Sequence, residues 1–166
     1  MRKRIMKLVR RLASGLMLLM VMGVLAACGG SAAEAPEVRA EKFFSDFAAA
    51  FNDPKLSEAA TQEKWADTLS KYFVPEQQAA QKTEILTSLQ QLGSLGAELN
   101  VKVENLKVEK VSESGDDAEI KIASGTMSMS VLGQEQKTDM ATEGFGSSGS
   151  STSKMKKVDN VWYIIP

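Results

Sequence analysis

The sequence predicts an α+β domain in which three N-terminal helices pack on a strongly bent antiparallel sheet of about four to five strands. Apolar residues recur at helical spacing up to Leu92 and alternate with polar residues from Leu99 onwards. The alternation also changes phase inside each of the first two predicted strands. Because a one-residue slip moves every following side chain to the other face of a sheet, these phase changes predict bulges or kinks.

Three segments before Leu99 carry the apolar stripe of an amphipathic helix. The first begins at Pro36, which suits a first helical turn, and ends at Asn52-Asp53-Pro54. The second begins at Ser57 and stops before Pro75, which opens a third helix that ends at Gly93. The stripes consist of Ala40, Phe43, Phe44, Phe47 and Phe51, then Trp65, Leu69, Tyr72 and Phe73, then Ile85, Leu86, Leu89 and Leu92.

The remaining chain predicts strands separated by turns. The apolar parity changes near Glu104-Asn105 in the first strand and at Gly125 in the second, with a turn at residues 112–117 between them. A turn at residues 132–135 leads into a third strand that runs through Met140. Residues 146–153 are almost purely Gly and Ser and predict a mobile loop. Residues 155–158 and 161–165 then form a closing hairpin around Asp159-Asn160.

The first 27 residues have the features of a secretory signal peptide. Six cations and no acid precede an apolar run at residues 12–27. As a helix, that run would span about 24 Å, which is short of the ~30 Å hydrocarbon layer. A permanent transmembrane anchor is therefore disfavoured.

Leu25-Ala26-Ala27-Cys28 closes this run and resembles the lipobox of bacterial lipoproteins. The resemblance implies cleavage between Ala27 and Cys28, and a diacylglyceryl thioether, with or without a further acyl chain on the amine, on Cys28. Two or more acyl chains are sufficient for stable membrane anchoring. Cleavage after Ala33, which would release the protein from the membrane, is the alternative. The predicted organisation is a signal peptide at residues 1–27, a lipidated tether at 28–36 and one domain at 37–166.

The mature chain is acidic and lacks several reactive side chains. Removing residues 1–27 takes six of the 20 basic residues and none of the 21 acidic ones, which leaves a net charge of about −7. This charge argues against nucleic acid as a partner. The sequence has no histidine, and Cys28 is its only cysteine. Cys-His and Ser-His nucleophiles, His-ligated zinc and structural disulfides are therefore excluded, and no cofactor other than the covalent lipid is expected.

Three helices followed by a bent sheet that ends in Val161-Trp162-Tyr163-Ile164-Ile165 resemble the nuclear transport factor 2-like superfamily. Lys71-Tyr72-Phe73-Val74-Pro75 between two helices fits the same pattern. The resemblance implies a cone-shaped domain with a pocket at its wide end. Members of this superfamily often form homodimers through the sheet, and the sequence does not decide whether this chain does so. It also implies that enzymes of this superfamily place an Asp-His or a Tyr-Asp pair in that pocket, and this chain has no histidine.

The candidate pocket residues are aromatic and sulfur-containing. If the cone is open, its lining is expected to include Phe43, Phe47, Phe51, Met127, Met129, Met140 and Trp162. These residue types more often fill a core, and Cu(I) binding by the three methionines is a minor alternative. The acids at 113, 116, 117 and 119 could attract calcium, but such turn acids are usually solvated. Asp46 or Asp67 could act as a general base, but no catalytic or metal-binding residue is assigned.

The leading hypothesis is a lipid-anchored protein of the cell envelope whose domain binds a partner protein or a small apolar ligand without catalysis. It would lie on the outer side of the cell membrane or, as Gly29 after Cys28 favours in a two-membrane cell, at the outer membrane. One alternative is an isomerase, cyclase or hydrolase that uses Asp or Tyr in the cone. Another is a structural accessory that contacts an envelope assembly through the 146–153 loop.

Overall fold

The computed structural model has helices and strands in the order that the sequence predicts. It describes residues 34–94, 99–131, 133–143 and 152–166, and the chain from Ala33 to Pro166 groups into one unit. The predictions for the leader, for Ala27 and Cys28, and for most of the 146–153 loop fall outside the described residues. Within the described ranges, no helix is long and apolar enough to cross a membrane.

The three main helices carry the apolar stripes that the sequence predicts. Helix α1 spans Pro36–Phe51, α2 spans Ala59–Ser70 and α3 spans Gln78–Gly93, with a 3-10 turn at Pro75–Gln77 before α3. Helix α2 ends earlier than predicted, so Tyr72 and Phe73 lie in the connection after it. The physical reason is Pro75, which favours an extended backbone in the residue before it; Val74 has a ψ of 140°.

Five antiparallel strands form one sheet around a long central strand. The strands are β1 (Leu99–Ser114), β2 (Asp117–Val131), β3 (Gln134–Asp139), β4 (Thr152–Val158) and β5 (Val161–Ile164). Strand β1 pairs with one edge of β2 along its length, whereas β4 and β3 share the other edge of β2. Strand β5 pairs with β4. This arrangement of helices on a bent sheet agrees with the predicted α+β class and with the cone implied by the resemblance.

Several predicted boundaries are wrong in detail. Strand β1 extends to Ser114 and β3 begins at Gln134, so parts of the turns predicted at residues 112–117 and 132–135 belong to strands. The third strand ends at Asp139, and Met140 begins a short helix, α4 (Met140–Glu143), because the Asp139 carboxylate accepts a hydrogen bond from the Ala141 N–H at 2.9 Å. Thr152 and Ser153 belong to β4 rather than to a loop, since both pair with β2.

Both predicted bends of the long strands are present, and they face each other. The β1–β2 register shifts between Glu104 and Lys107, and Asn105 has a φ of 53°. Gly125 has a φ of 151°, and a Cβ there would lie 3.1 Å from Leu106 Cδ1 and 3.2 Å from Leu106 Cα. Gly125 therefore permits both the local backbone conformation and the close approach of β1.

The buried side chains form two clusters on the helix-covered face of the sheet. The main cluster joins α1, the ends of α2 and α3, and the part of the sheet near the start of β1. The second cluster joins α1 to the other end of the sheet and contains Ala40, Val108, Ala118, Ile120, Met155 and Trp162.

The C-terminal hairpin closes the edge of the sheet as predicted. Asp159 and Asn160 both have positive φ, 49° and 67°, as a two-residue type I′ turn requires. On the far side of β5, the Ile164 N–H donates to the Tyr72 carbonyl at 2.7 Å, and the Val74 N–H donates to the Ile164 carbonyl at 3.1 Å. The connection between α2 and α3 therefore pairs with an edge that would otherwise be exposed.

Candidate binding site

Three of the predicted pocket residues are packed inside the main cluster. Phe43, Phe51 and Met140 retain 6%, 5% and 0% of their accessible surface. A side chain that faced a cavity wide enough for a ligand would keep more accessible surface than this. These three residues therefore fill the core, as aromatic and methionine side chains commonly do.

Phe47, Met127 and Met129 lie at the margin of the same cluster and are only partly buried. Met127 and Met129 point to the same face of β2, where they pair with Val103 and Val101 of β1. The Phe47 ring lies 4.6 Å from the Phe51 ring, centroid to centroid. We call Phe47, Met127 and Met129 the apolar rim, since all three remain partly open to contact from outside.

Trp162 does not join the other predicted pocket residues. It is 2% exposed and belongs to the second cluster. The Lys157 ammonium lies 4.6 Å from the centroid of its ring, within the range of a cation–π contact. Trp162 thus packs the hairpin against α1, at some distance along the sheet from the apolar rim.

A Tyr-Asp pair connects α1 to the segment after α2. The Tyr72 hydroxyl donates to Asp46 Oδ2 at 2.5 Å, and the Arg39 guanidinium stacks on the Tyr72 ring at 4.3 Å from its centroid. Arg39, Phe43 and Asp46 follow one another at helical spacing, so they share one face of α1. The two partners are 26 residues apart, and no sequence signal other than the position of Asp46 beside the apolar stripe indicates the pair.

The environment of Tyr72 holds its hydroxyl in the neutral form. Burial raises the pKa of Tyr72 most strongly, and the hydrogen bond to Asp46 raises it further, whereas the charge of Arg39 lowers it. Tyr72 is 3% exposed, and its ring also packs edge-on against Phe43. The hydroxyl proton therefore lies in the hydrogen bond to Asp46, and the burial of Tyr72 leaves little of its own surface for a substrate to contact.

Asp67, the other acid considered as a general base, lies on the surface. Its carboxylate forms an ion pair with Lys82 at 2.8 Å, and the same ammonium lies 3.2 Å from Glu63. Both carboxylates are on α2 and Lys82 is on α3. These contacts raise the pKa of Lys82 and link the two helices, and they provide no enclosed environment for proton transfer.

The loop after α1 is tied to the sheet by side-chain hydrogen bonds. The Asn52 amide donates to the Val101 carbonyl at 2.6 Å and accepts from the Val101 N–H at 2.8 Å. Asp53 accepts from the Trp65 indole N–H at 2.8 Å, and this hydrogen bond is the main cause of the lowered pKa of Asp53. A groove of about 230 Å³ lies beside these residues and extends to Leu99.

A larger open groove, of about 320 Å³, lies near the β1–β2 turn. Its walls include Ser112, Glu119 and Lys154, which are cross-strand neighbours and so share the face of the sheet opposite to the second cluster. Ile165 supplies apolar surface. The volume is at the lower end of the range for ligand pockets, and polar and apolar side chains both line the groove. Sequence reasoning missed this groove because it depends on the position of the chain end beside β4.

The calcium alternative gains no support from the described residues. Glu113 lies 2.5 Å from Lys110 and 3.8 Å from Lys157, and Asp117 lies 3.2 Å from Lys156, so these acids contact cations of the protein itself. Within the part of the chain that the structure describes, no group of three or more acids, histidines or cysteines is placed to hold a metal ion.

Comparison with known proteins identifies no family and no function for this chain. A solved structure from Novosphingobium aromaticivorans, described as a scytalone dehydratase, is similar with a TM-score of 0.39 and 14% sequence identity, over 76% of each chain. Similarity at this level carries no argument about the activity or the site of this chain. No family model and no curated protein matches the sequence.

Proposed function

We propose that the protein is a lipoprotein of the cell envelope, anchored by lipid on Cys28, whose α+β domain binds a partner protein without catalysis. The basic leader, the apolar run and the four-residue lipobox support the anchor. The lipid supplies the affinity for the membrane, because the mature chain is acidic and offers little attraction to anionic head groups.

The packing of the predicted pocket residues favours a protein partner over a small apolar ligand. Phe43, Phe51 and Met140 fill the core and leave little surface for a ligand. The apolar rim, in contrast, stays partly exposed at the margin of the core, and methionine and aromatic side chains are frequent in protein interfaces.

Photo-cross-linking at the rim tests the proposal. A photoreactive amino acid replaces Met129 in the full chain, and in a matched control it replaces Lys102, which is exposed on the opposite face of the sheet. We expect an adduct of discrete mass from position 129 and none from position 102. Identical adducts from both positions, or none from either, would contradict binding at the rim.

Two further measurements separate the alternatives. Native mass spectrometry of the domain purified without its lipid would reveal a retained small molecule, which would favour the apolar-ligand alternative. For the enzyme alternative, the Tyr72–Asp46 pair is the observation in its favour. Turnover of an envelope metabolite that disappears in Asp46→Asn, while the fold is retained, would replace binding with catalysis.

A further inference from the structure

One end of the domain brings together the start of α1 and two hairpin turns. Helix α1 runs along β1 so that Glu41 accepts a hydrogen bond from the Val108 N–H at 3.1 Å, whereas Asn52 contacts Val101. The start of α1 therefore lies beside the last residues of β1. The β4–β5 turn lies at the same end, because the Lys157 N–H donates to the Asp116 carbonyl at 2.7 Å.

The large apolar side chains that remain exposed are found at this same end. Among the described residues they are Val38, Val111 and Val161, with exposures of 46%, 51% and 39%. Val38 is in the first turn of α1, Val111 is near the end of β1 and Val161 directly follows the β4–β5 turn. We call Val38, Val111, Val161 and the turn residues 115–116 and 159–160 the tip of the domain.

Several charged groups around the tip are paired with one another, whereas Asp116 and Asp159 in the two turns are exposed and form no ion pair with the described residues. Glu113 contacts both Lys110 and Lys157, Lys156 contacts Asp117, and Arg39 lies 3.9 Å from Glu34. This end of the domain therefore offers ion pairs, two turn carboxylates and single exposed valines, and such a surface has no strong net attraction to zwitterionic head groups. This end of the domain fits a phospholipid surface that the lipid anchor already holds nearby, because no attraction between charges is then needed to bring the two together.

The length of chain before α1 limits which end can reach the membrane. Pro36 is eight positions after Cys28 in the chain, and this stretch spans at most about 28 Å even when fully extended. Helix α1 has 16 residues and is about 24 Å long. With α1 perpendicular to the membrane, the tip can face the lipid surface without extension of this stretch, whereas the far end of α1 can do so only when the stretch is nearly fully extended.

We propose that the tip rests on the phospholipid head groups of the membrane that holds the Cys28 lipid. This inference depends on the proposed lipid anchor and adds an orientation to it. The far end of the domain, where Met129 pairs with Val101 next to the loop after α1, then points away from the membrane. The apolar rim is thereby presented to proteins that approach from the envelope space.

Fluorescence quenching on vesicles tests the orientation. Lipidation uses the only thiol of the chain, so single cysteines can be introduced by Val111→Cys, Val161→Cys and, as the matched control at the far end, Gln136→Cys, which faces Met129 across β2–β3. Each lipidated variant is labelled with an environment-sensitive dye. It is then reconstituted into phosphatidylcholine vesicles with and without a quencher attached to the lipid head group.

We expect the labels at positions 111 and 161 to lose most of their fluorescence and the label at 136 to lose little. Equal quenching at all three positions, or stronger quenching at 136, would overturn the orientation while leaving the anchor intact. Failure of the lipidated protein to float with the vesicles would instead overturn the anchor, and the orientation with it. Circular dichroism of each variant confirms that the fold is retained.

Discussion

At the scale of single residues, the hydrogen bond between Tyr72 and Asp46 fixes α1 against the segment after α2. Tyr72→Phe removes the hydroxyl and leaves a partly buried carboxylate without this donor. We expect a loss of about 1 to 3 kcal/mol in the free energy of unfolding, measured with urea. Tyr163→Phe is the control, since Tyr163 is partly buried on the other face of the sheet. Equal losses in the two variants would contradict the role of the Tyr72 pair.

The raised pKa of Tyr72 predicts a dependence of stability on alkaline pH. In the unfolded chain tyrosine ionises near pH 10, whereas in the folded protein burial and Asp46 keep Tyr72 protonated to higher pH. Above about pH 10 the unfolded state therefore binds fewer protons, and the free energy of unfolding falls as pH rises. Tyr72→Phe should reduce this slope between about pH 10 and 11. An unchanged slope in urea titrations of the variant would count against the assignment.

At the scale of secondary-structure elements, Gly125 allows the long strands to bend against each other. Gly125→Val adds a β-branched side chain at a φ of 151°, with Leu106 atoms already within 3.2 Å of the new Cβ. We expect a loss of about 2 kcal/mol or more in the free energy of unfolding. The matched control is Gly115→Val, because Gly115 also has positive φ but no atom lies within 4 Å of a new Cβ. A similar loss in the control would show that backbone conformation alone explains the effect.

The edge of β1 gives a second prediction at this scale. Asn52 pairs with both backbone groups of Val101, as a neighbouring strand would do. Asn52→Ala should accelerate hydrogen exchange at the Val101 amide and destabilise the fold by about 1 to 2 kcal/mol. Asn100→Ala, at an exposed residue beside Val101, should leave both quantities nearly unchanged. Unaltered exchange at Val101 in Asn52→Ala would contradict the predicted contact.

Local patterns in the sequence were sufficient to predict most of these elements. The apolar parity changes located both bends, and Asp159-Asn160 located the last turn, because each signal depends on residues close together in the chain. The Tyr72–Asp46 pair could not be predicted in this way, since it depends on how α1 packs against a segment 26 residues away. The separation of Trp162 from the other predicted pocket residues likewise depends on how β5 is placed against α1.

At the scale of the whole molecule, we propose that lipid on Cys28 holds the domain at a membrane and that the far end of the domain faces a partner. The apolar rim and the tip lie toward opposite ends of α1. We therefore expect separable defects. Changes at the rim should affect partner binding, changes at the tip should affect orientation, and loss of the Cys28 thiol should affect attachment to the membrane.

Attachment through Cys28 is the central claim, and metabolic labelling with an alkyne analogue of palmitate tests it most directly. Full-length protein and Cys28→Ser are expressed in a bacterial host, labelled, separated into membrane and soluble fractions, and analysed by mass spectrometry. We expect the unmodified sequence to be labelled and found with membranes, with Cys28 as its acylated first residue. Cys28→Ser should carry no label. An unlabelled wild-type protein, or a wild-type N-terminus that follows Ala33, would contradict it.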